Sequence, residues 1–186
     1  MPTRAPRRDA VRNYARILDA AREVFGESGA EACIEEIAAR AGVGVGTVYR
    51  RFASKDALID ELVRLAMDEL VTASDHALAR SDGGGLEELL RAFGRSFADH
   101  ARYANLMLER QPDPGGASLL RAATEELTAR AGAAGAIDPG ITIDDVLALI
   151  SAMRGLALPT ADVHADAWQR FLDLHLAGFR LSRPGY

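Results

Sequence analysis

The chain has 186 residues, of which 48% are hydrophobic, and it carries a formal net charge of −5 and a single cysteine. This length allows one large domain or two small ones with a buried core. One cysteine excludes an internal disulfide framework, and the apolar runs are far shorter than the ~20 residues that cross a bilayer. The basic N-terminus has no apolar stretch behind it, which argues against a signal peptide. We therefore expect a cytoplasmic protein that does not associate with a membrane.

The charge is unevenly distributed along the chain. Residues 1–16 carry five arginines, Arg7 and Arg8 among them, against one aspartate, which gives a net charge of +4. Residues 1–56 have a net charge of +2, and residues 57–186 have a net charge of −7. A basic N-terminus on an acidic chain is typical of a protein that binds nucleic acid at one end. A solvated basic tail is the alternative interpretation.

The N-terminal third of the chain reads as a series of helices. Gly29 suits the end of the first and Gly42 the end of the second, while Ser54 is a natural N-cap for the fourth. Apolar residues recur with a period near 3.6 in four segments: 14–25, 34–41, 46–52 and 58–79.

The rest of the chain continues in the same pattern. Breaks are expected at residues 81–85, 112–116 and 132–140, and Thr142 with Asp145 forms a capping box. No useful stretch alternates between apolar and polar residues, as a half-buried strand would. The chain is therefore predicted to be all-α. The helices of this part are predicted at 86–104, 119–131, 143–156 and 162–179.

The stretch 36–58 contains most of the residues that could bind DNA. Gly42 permits a sharp turn between two short helices, as a helix-turn-helix requires. Thr47 and Tyr49 offer hydroxyl groups to phosphate oxygens, and the Lys55 ammonium adds to the positive end of the next helix. Two neighbouring arginines are long enough to reach guanine O6 and N7. We predict DNA contacts from Arg7, Arg8, Gly44, Val45, Gly46, Thr47, Tyr49, Arg50, Arg51 and Lys55.

Roughly residues 10–60 resemble the TetR family of bacterial transcriptional regulators. The resemblance implies a helix-turn-helix DNA-binding domain with a basic arm over residues 1–56, and a helical effector-binding and dimerisation domain over 57–186. It also implies a homodimer on palindromic double-stranded operator DNA, most often a repressor, released by a small molecule. The matching residues are Ile17-Leu18, Val24-Phe25, Gly29, Glu36-Ile37-Ala38, Ala41-Gly42-Val43, Gly46-Thr47-Val48-Tyr49, Phe52 and Lys55.

Three positions depart from the family pattern. Cys33 stands where a Ser or Thr N-cap is usual, so the second helix is expected to be poorly capped; we also expect this cysteine to be a small buried residue. Gly44 and Val45 replace a polar pair. Base reading is therefore expected to depend on contact of Val45 with a thymine methyl group and on one of the two arginines, Arg50 or Arg51.

An effector site is predicted from the apolar faces of the C-terminal helices. Its aromatic and methionine side chains adapt to varied apolar ligands, so we expect an apolar or weakly polar small molecule. His100 is either a ligand-orienting group or a core histidine satisfied by a neighbour. The predicted lining is Met67, Leu70, Phe93, Phe97, His100, Tyr103, Met107 and Met153.

Dimerisation is expected through two apolar stripes near the C-terminus. Small side chains at Ala152 and Gly155 would allow two helices to approach closely. The stripes consist of Ile143, Val146, Ile150 and Met153 on one helix, and of Trp168, Phe171, Leu172 and Phe179 on the other.

Competing functions find less support. The glycines of residues 42–46 follow a helix, whereas a dinucleotide-binding loop follows a buried strand. The histidines lack metal-ligand spacing, and no Gly-x-Ser-x-Gly motif is present. We therefore expect no cofactor, no metal and no enzymatic activity. Two alternatives stay open: a hydrolase or other helical enzyme, and a dimeric DNA-binding module without an effector.

Overall fold

The computed structural model of the chain describes residues 5–104, 106, 110, 114–157 and 167–180. Within them every regular element is a helix and no strand occurs, which confirms the predicted all-α class. The chain divides into two compact units. The first unit comprises Met1–Arg64 and Arg102–Arg110, and the second comprises Leu65–Ala101 and Gln111–Tyr186. The predicted domain boundary after residue 56 stays a prediction.

The first unit contains the helix-turn-helix. Its first helix begins well before Tyr14, where the apolar pattern starts. Proline is tolerated in a first helical turn, as Pro6 is here, and arginine and alanine after it favour the helix. The fourth helix continues into the second unit. The elements are α1 (Ala5–Ser28), a 3-10 turn (Gly29–Glu31), α2 (Ile34–Ala41), α3 (Val45–Arg51) and α4 (Lys55–Leu78).

The core of the first unit is built from the apolar faces of α1 and α2. Ile17, Ala21, Val24 and Phe25 are at most 1% exposed, and their spacing of three or four residues places them on one side of α1. This packing gives the helix-turn-helix a rigid base. The buried residues that α2 contributes are Ile34, Ile37, Ala38 and Ala41.

A second stretch of chain, Arg102–Arg110, belongs to the first unit. Tyr103 is buried there. The side chain of Arg102 lies against Gly26, where an added methyl group would come within 3.0 Å of Arg102 Cβ. Arg110 forms ion pairs with Asp56 and, at 3.2 Å, with Asp60 on α4. The first unit is therefore assembled from two separate parts of the sequence.

The second unit is made of packed helices around an aliphatic core. No helix in the described part of the chain is long and apolar enough to span a bilayer. Besides the rest of α4, the unit contains α5 (Gly85–His100), α6 (Pro114–Ala133), α7 (Ile143–Ala157) and α8 (Ala167–Arg180). The most deeply buried core residues include Leu86, Leu89, Leu90, Val146, Met153 and Leu172.

Gly94 allows α5 and α8 to approach closely. A methyl group at this position would overlap Cε3 and Cζ3 of Trp168 and would lie 2.9 Å from Met153 Cε. Trp168 is only 5% exposed, so its ring fills space that a larger residue at position 94 would need. The absence of a side chain at Gly94 is thus part of the core packing.

The predicted caps are present. Ser54 Oγ accepts a hydrogen bond from the Ala57 amide at 3.1 Å at the start of α4. At the start of α7, the Thr142 amide donates to Asp145 Oδ2 at 2.8 Å, and the Asp145 amide donates to Thr142 Oγ1 at 3.4 Å. Each cap satisfies amide groups that the first turn of a helix leaves without partners.

Two sequence expectations are wrong. Cys33 is exposed rather than buried, because it precedes the first turn of α2 in extended backbone (φ −114°) and so lies off the buried face of the helix. Its side chain makes no capping bond, which confirms the poor cap. Of the break expected at 112–116, residues 114–116 instead form the start of α6 at Pro114, because the fixed φ of proline suits a first helical turn; residues 112 and 113 lie outside the described residues.

Candidate nucleic-acid interface

The turn between α2 and α3 is set by Gly42. Its backbone is left-handed (φ 62°, ψ 40°), a conformation that costs residues with a Cβ about 1–2 kcal/mol. The Gly42 amide donates to Ala39 O at 3.0 Å, and the Val43 amide donates to Ala38 O at 3.0 Å. This pair of bonds is a Schellman motif. It ends α2 abruptly and directs the chain into α3.

Helix α3 has one buried and one exposed side. Val48 and Phe52, four residues apart, are buried and fix the helix to the unit. Tyr49 is 48% exposed, and Arg50 beside it is also exposed. A methyl group at Gly46 would meet no atom within 4 Å. The exposed side is therefore open to a large partner.

The N-terminal end of α3 presents the smaller predicted contacts. Gly44 is the N-cap and has no side-chain capping bond, while Val45 and Thr47 are both half-buried. Arg7 and Arg8 belong to α1, but their side chains lie outside the described residues. The positions of these two guanidinium groups stay a prediction.

A groove of about 320 Å³ runs between α1 and α3. The Arg50 guanidinium donates to Thr47 Oγ1 at 3.3 Å within it. The cationic side chains lie on the α3 wall, at Arg50 and Arg51, where a phosphate oxygen could bind. The α1 wall contributes polar and apolar side chains and the Asp9 carboxylate. The groove lining includes Asp9, Asn13, Tyr14, Thr47, Arg50 and Arg51.

Arg51 is held by an aromatic platform. Its guanidinium carbon lies 4.6 Å from the centre of the Tyr14 ring and 5.9 Å from that of Phe52. The Tyr14 hydroxyl donates to Glu61, which also accepts from Arg64 Nε at 2.8 Å. The Arg64 hydrogen bond and, to a lesser degree, the Tyr14 bond lower the pKa of Glu61 to about 2. Burial and Glu61 raise the pKa of the Tyr14 phenol.

Lys55 begins α4 but reaches back towards the end of α1. Its Nζ donates to Ala30 O at 2.6 Å and to Ala32 O at 3.1 Å. An ammonium group has three N–H donors, so these two bonds fix its place and leave a third donor. Sequence reasoning predicted only the outward-facing role of this residue.

Two ion pairs connect α2 to α1. The Arg40 guanidinium pairs with Glu27 at 2.8 Å and with Glu23 at 3.0 Å. Hydrogen bonding to Glu27 raises the pKa of Arg40, and the same bond lowers the pKa of the Glu27 carboxyl. These groups are largely exposed, so they contribute to orientation more than to stability.

Comparison with known proteins identifies this arrangement. Residues 17–62 match the sequence profile of the bacterial regulatory proteins of the tetR family. A TetR transcriptional regulator from Streptomyces coelicolor is 31% identical, over 91% of this chain and 99% of its own, with a TM-score of 0.66. The chain belongs to the TetR family.

Further relatives agree with this assignment. A TetR transcription regulatory protein from Mycobacterium vanbaalenii is 29% identical, over 94% of this chain and 99% of its own, with a TM-score of 0.68. An HTH-type transcriptional regulator from Staphylococcus aureus is 34% identical over 67 residues. That match covers 36% of this chain and 36% of the relative, about a third of each. TetR-family proteins are transcriptional regulators rather than enzymes, which excludes the hydrolase alternative.

The residues predicted to line an effector site are divided between the two units. Tyr103 belongs to the first unit, and Met107 lies outside the described residues. His100 ends α5 and is held there through Nδ1, which lies 2.6 Å from Ser96 O. The other five share the hydrophobic core of the second unit: Met67, Leu70, Phe93, Phe97 and Met153.

The sequence pattern did not predict Asn13 and Tyr14 in the groove, nor the bond from Tyr14 to Glu61. Tyr14 was interpreted only as an apolar member of α1, although the hydroxyl group of a half-buried tyrosine usually has a partner. Glu61 lies nearly fifty residues further on in the chain, and no local pattern connects the two. In the ranges that the structure describes, no cluster of three His, Cys, Asp or Glu residues is placed to hold a metal ion.

Proposed function

We propose that this TetR-family regulator binds a palindromic operator in double-stranded DNA as a homodimer and represses transcription until a small molecule releases it. The observation that carries the proposal is the exposed side of α3, which presents Tyr49 and Arg50 while Val48 and Phe52 anchor the helix. Such a helix enters the major groove, and two copies in a dimer meet half-sites about 34–36 Å apart.

The proposed contacts fall into two kinds. Thr47, Tyr49 and Lys55, together with Arg7 and Arg8, would bind phosphates and set the register of the protein on the duplex. The Val45 side chain and one arginine would read base edges. Gly44 and Gly46 would let the backbone of α3 approach the DNA.

The test of DNA binding uses an inverted repeat taken from the DNA that flanks the coding region. Fluorescence anisotropy on this duplex should show Tyr49→Ala and Lys55→Ala weakening binding by about tenfold, roughly equally for all sequences. Arg121→Ala, an exposed arginine on α6 of the second unit, removes one charge as a matched control and should bind like the wild type. Wild-type affinity in both test variants would refute the assignment.

The homodimer is proposed from the outer faces of α7 and α8. Ile150, Phe171 and Phe179 pack only partly into the core of their own unit, and Leu174 is 60% exposed. Among the described residues, a methyl group at Gly155 would meet no atom within 4 Å, which would leave room for a partner helix.

The oligomeric state tests this surface directly. Light scattering at micromolar concentration should give a dimer, and Gly155→Arg should shift it towards monomer. Ala122→Arg, on the exposed side of α6, is the control and should stay dimeric. A wild-type monomer, or a dimeric Gly155→Arg variant, would contradict the proposed interface.

The effector is proposed to be an apolar or weakly polar small molecule that binds among the apolar side chains of the second unit. Phe93 and Phe97 lie with their ring centres 5.9 Å apart, and Met67 packs against the same cluster. Flexible methionine and aromatic side chains adapt to ligands of varied shape. Binding would favour a conformation whose recognition helices no longer fit successive major grooves, which is a population shift. Because DNA is the target, we propose a cytoplasmic location.

The competing function is a dimeric DNA-binding module without an effector. The close packing of Trp168 on Gly94 favours it, because a filled core leaves less room for a ligand. A thermal-shift screen of apolar compounds, followed by release of labelled operator DNA, separates the two. Hits that stabilise the protein and release DNA support a sensor. Binding of highly charged metabolites alone would refute the apolar site, and a screen without any hit would favour the module.

A further inference from the structure

The two neighbouring arginines at the end of α3 have different surroundings. The Arg51 guanidinium lies over the Tyr14 ring, 4.6 Å from its centre. The Tyr14 and Phe52 rings are themselves stacked, with centres 6.0 Å apart and an angle of 23° between their planes. Arg51 therefore caps a two-ring platform contributed by α1 and by the end of α3. A guanidinium over an aromatic face is held electrostatically.

The half-buried carboxylate of Glu61 supports the Tyr14 ring. The Tyr14 hydroxyl donates to Glu61 on α4, and Arg64 donates to both Glu61 oxygens, at 2.8 Å and 2.9 Å. The Glu61 side chain is only 20% exposed, so its charge is weakly screened and attracts the nearby Arg51. The ring, the carboxylate and Arg51 together connect α1, α3 and α4.

Arg50 has none of these partners. It donates to Thr47 Oγ1 at 3.3 Å on its own helix, and among the described residues no carboxylate pairs with it. Successive residues of a helix point about 100° apart, and only Arg51 of the two arginines lies over the Tyr14 and Phe52 rings. Arg50 lines the groove between α1 and α3 next to Thr47 and Asn13.

We infer that Arg51 is a positioning residue that locks the recognition helix to α1 through Tyr14 and Glu61, and that Arg50 is the arginine left to read a guanine. This inference deepens the proposed operator binding and rests on it. The sequence alone leaves open which of the two arginines reads a base. The inference assigns that role to Arg50 and the positioning role to Arg51.

The first test compares Arg50→Ala with Arg51→Ala on operator duplexes in which each base pair is varied in turn. Arg50→Ala should lose at least about fivefold of the preference at one G·C pair. Arg51→Ala should weaken binding to all duplexes by about two- to fivefold, the range of an exposed cation–π contact, and leave the base preferences intact. It should also leave the salt dependence intact, whereas loss of a phosphate contact would reduce the slope by ~0.9.

The second test asks whether Arg51 acts through Tyr14. In a double-mutant cycle, Tyr14→Leu and Arg51→Ala should be non-additive by about two- to fivefold, both in operator affinity and in the unfolding equilibrium constant. Tyr14→Phe keeps the ring and should preserve the coupling. Arg51→Lys keeps the cation and should recover part of the lost affinity.

Three results would overturn the inference: a lost base preference in Arg51→Ala, a reduced salt slope in that variant, or additive effects in the cycle. Failure of the proposed function looks different. In that case the wild type binds no operator duplex, while the coupling of Tyr14 and Arg51 is still measured by unfolding without DNA. If Tyr14→Leu does not fold, the cycle is run with Arg51→Ala and Arg51→Lys in the Tyr14→Phe background, where the ring alone must preserve the difference between them.

Discussion

Gly94→Ala should destabilise the second unit, although alanine is the better helix former. Replacing glycine inside a helix normally gains about 1 kcal/mol. Here the added methyl group overlaps the Trp168 ring and comes within 2.9 Å of Met153 Cε, against 3.5–4.0 Å for a favourable carbon contact. Met153 is fully buried and Trp168 nearly so, so neither can move freely. Overpacking of this kind costs up to about 3 kcal/mol, which leaves a net loss of about 2 kcal/mol.

The assay is thermal unfolding followed by tryptophan emission. Trp168 is the only tryptophan of the chain, so the signal comes from the perturbed site. A loss of about 2 kcal/mol corresponds to a drop in Tm of about 4–8 °C for a chain of this size, and the emission of the native state should shift. In a Trp168→Phe background, which has no tryptophan and is therefore followed by circular dichroism, Gly94→Ala should lower Tm by less, because the smaller ring leaves room for the methyl group.

Gly132→Ala on α6 is the matched control. Its added methyl group would make only an ordinary contact, 3.5 Å from Pro139 Cα, so we expect unchanged or slightly higher stability. If Gly94→Ala unfolds at or above the wild-type temperature with unchanged emission, Trp168 does not pack on α5 as described.

Three further predictions concern the first unit. Gly42→Ala should lower the free energy of unfolding by about 1–2 kcal/mol in urea titrations, because φ at this position is 62°; an unchanged midpoint would contradict the left-handed turn. Glu61→Gln should cost stability near neutral pH, and the difference from wild type should vanish in acid. The folded pKa of Glu61 is lowered from 4.5 to about 2, so its contribution is present above pH 4.5 and is lost as the pH falls through 2. Lys55→Ala should reduce the salt slope of operator binding by ~0.9 and, by losing its bonds to Ala30 and Ala32, should also lower Tm; Lys55→Arg tests whether charge alone suffices.

Local chemistry made much of the fold predictable. Gly29 and Gly42 were expected to end helices, and both have positive φ, 54° and 62°. Ser54 and Thr142 cap helices as their residue types suggest. Helix ends and caps depend on a few adjacent residues, so they can be predicted from the local sequence.

Features that depend on distant residues were not predictable. The contacts of Tyr14 with Arg51 and Glu61 join three helices, and no periodicity signals them. The early start of α1 was missed because its first turns carry no regular apolar stripe. Lys55 was expected to face DNA, but its bonds to Ala30 and Ala32 depend on how the chain returns after α1.

The two-part composition of the first unit bears on how this unit can be exchanged between relatives. The chain leaves this unit at Arg64, returns at Arg102 and leaves again after Arg110. A fragment that stops at residue 64 would lack Arg102, whose side chain lies against Gly26, and Tyr103, which is 4% exposed in the chain. A chimaera that keeps this DNA-binding unit must therefore carry residues 102–110 along with it, and needs three junctions instead of one.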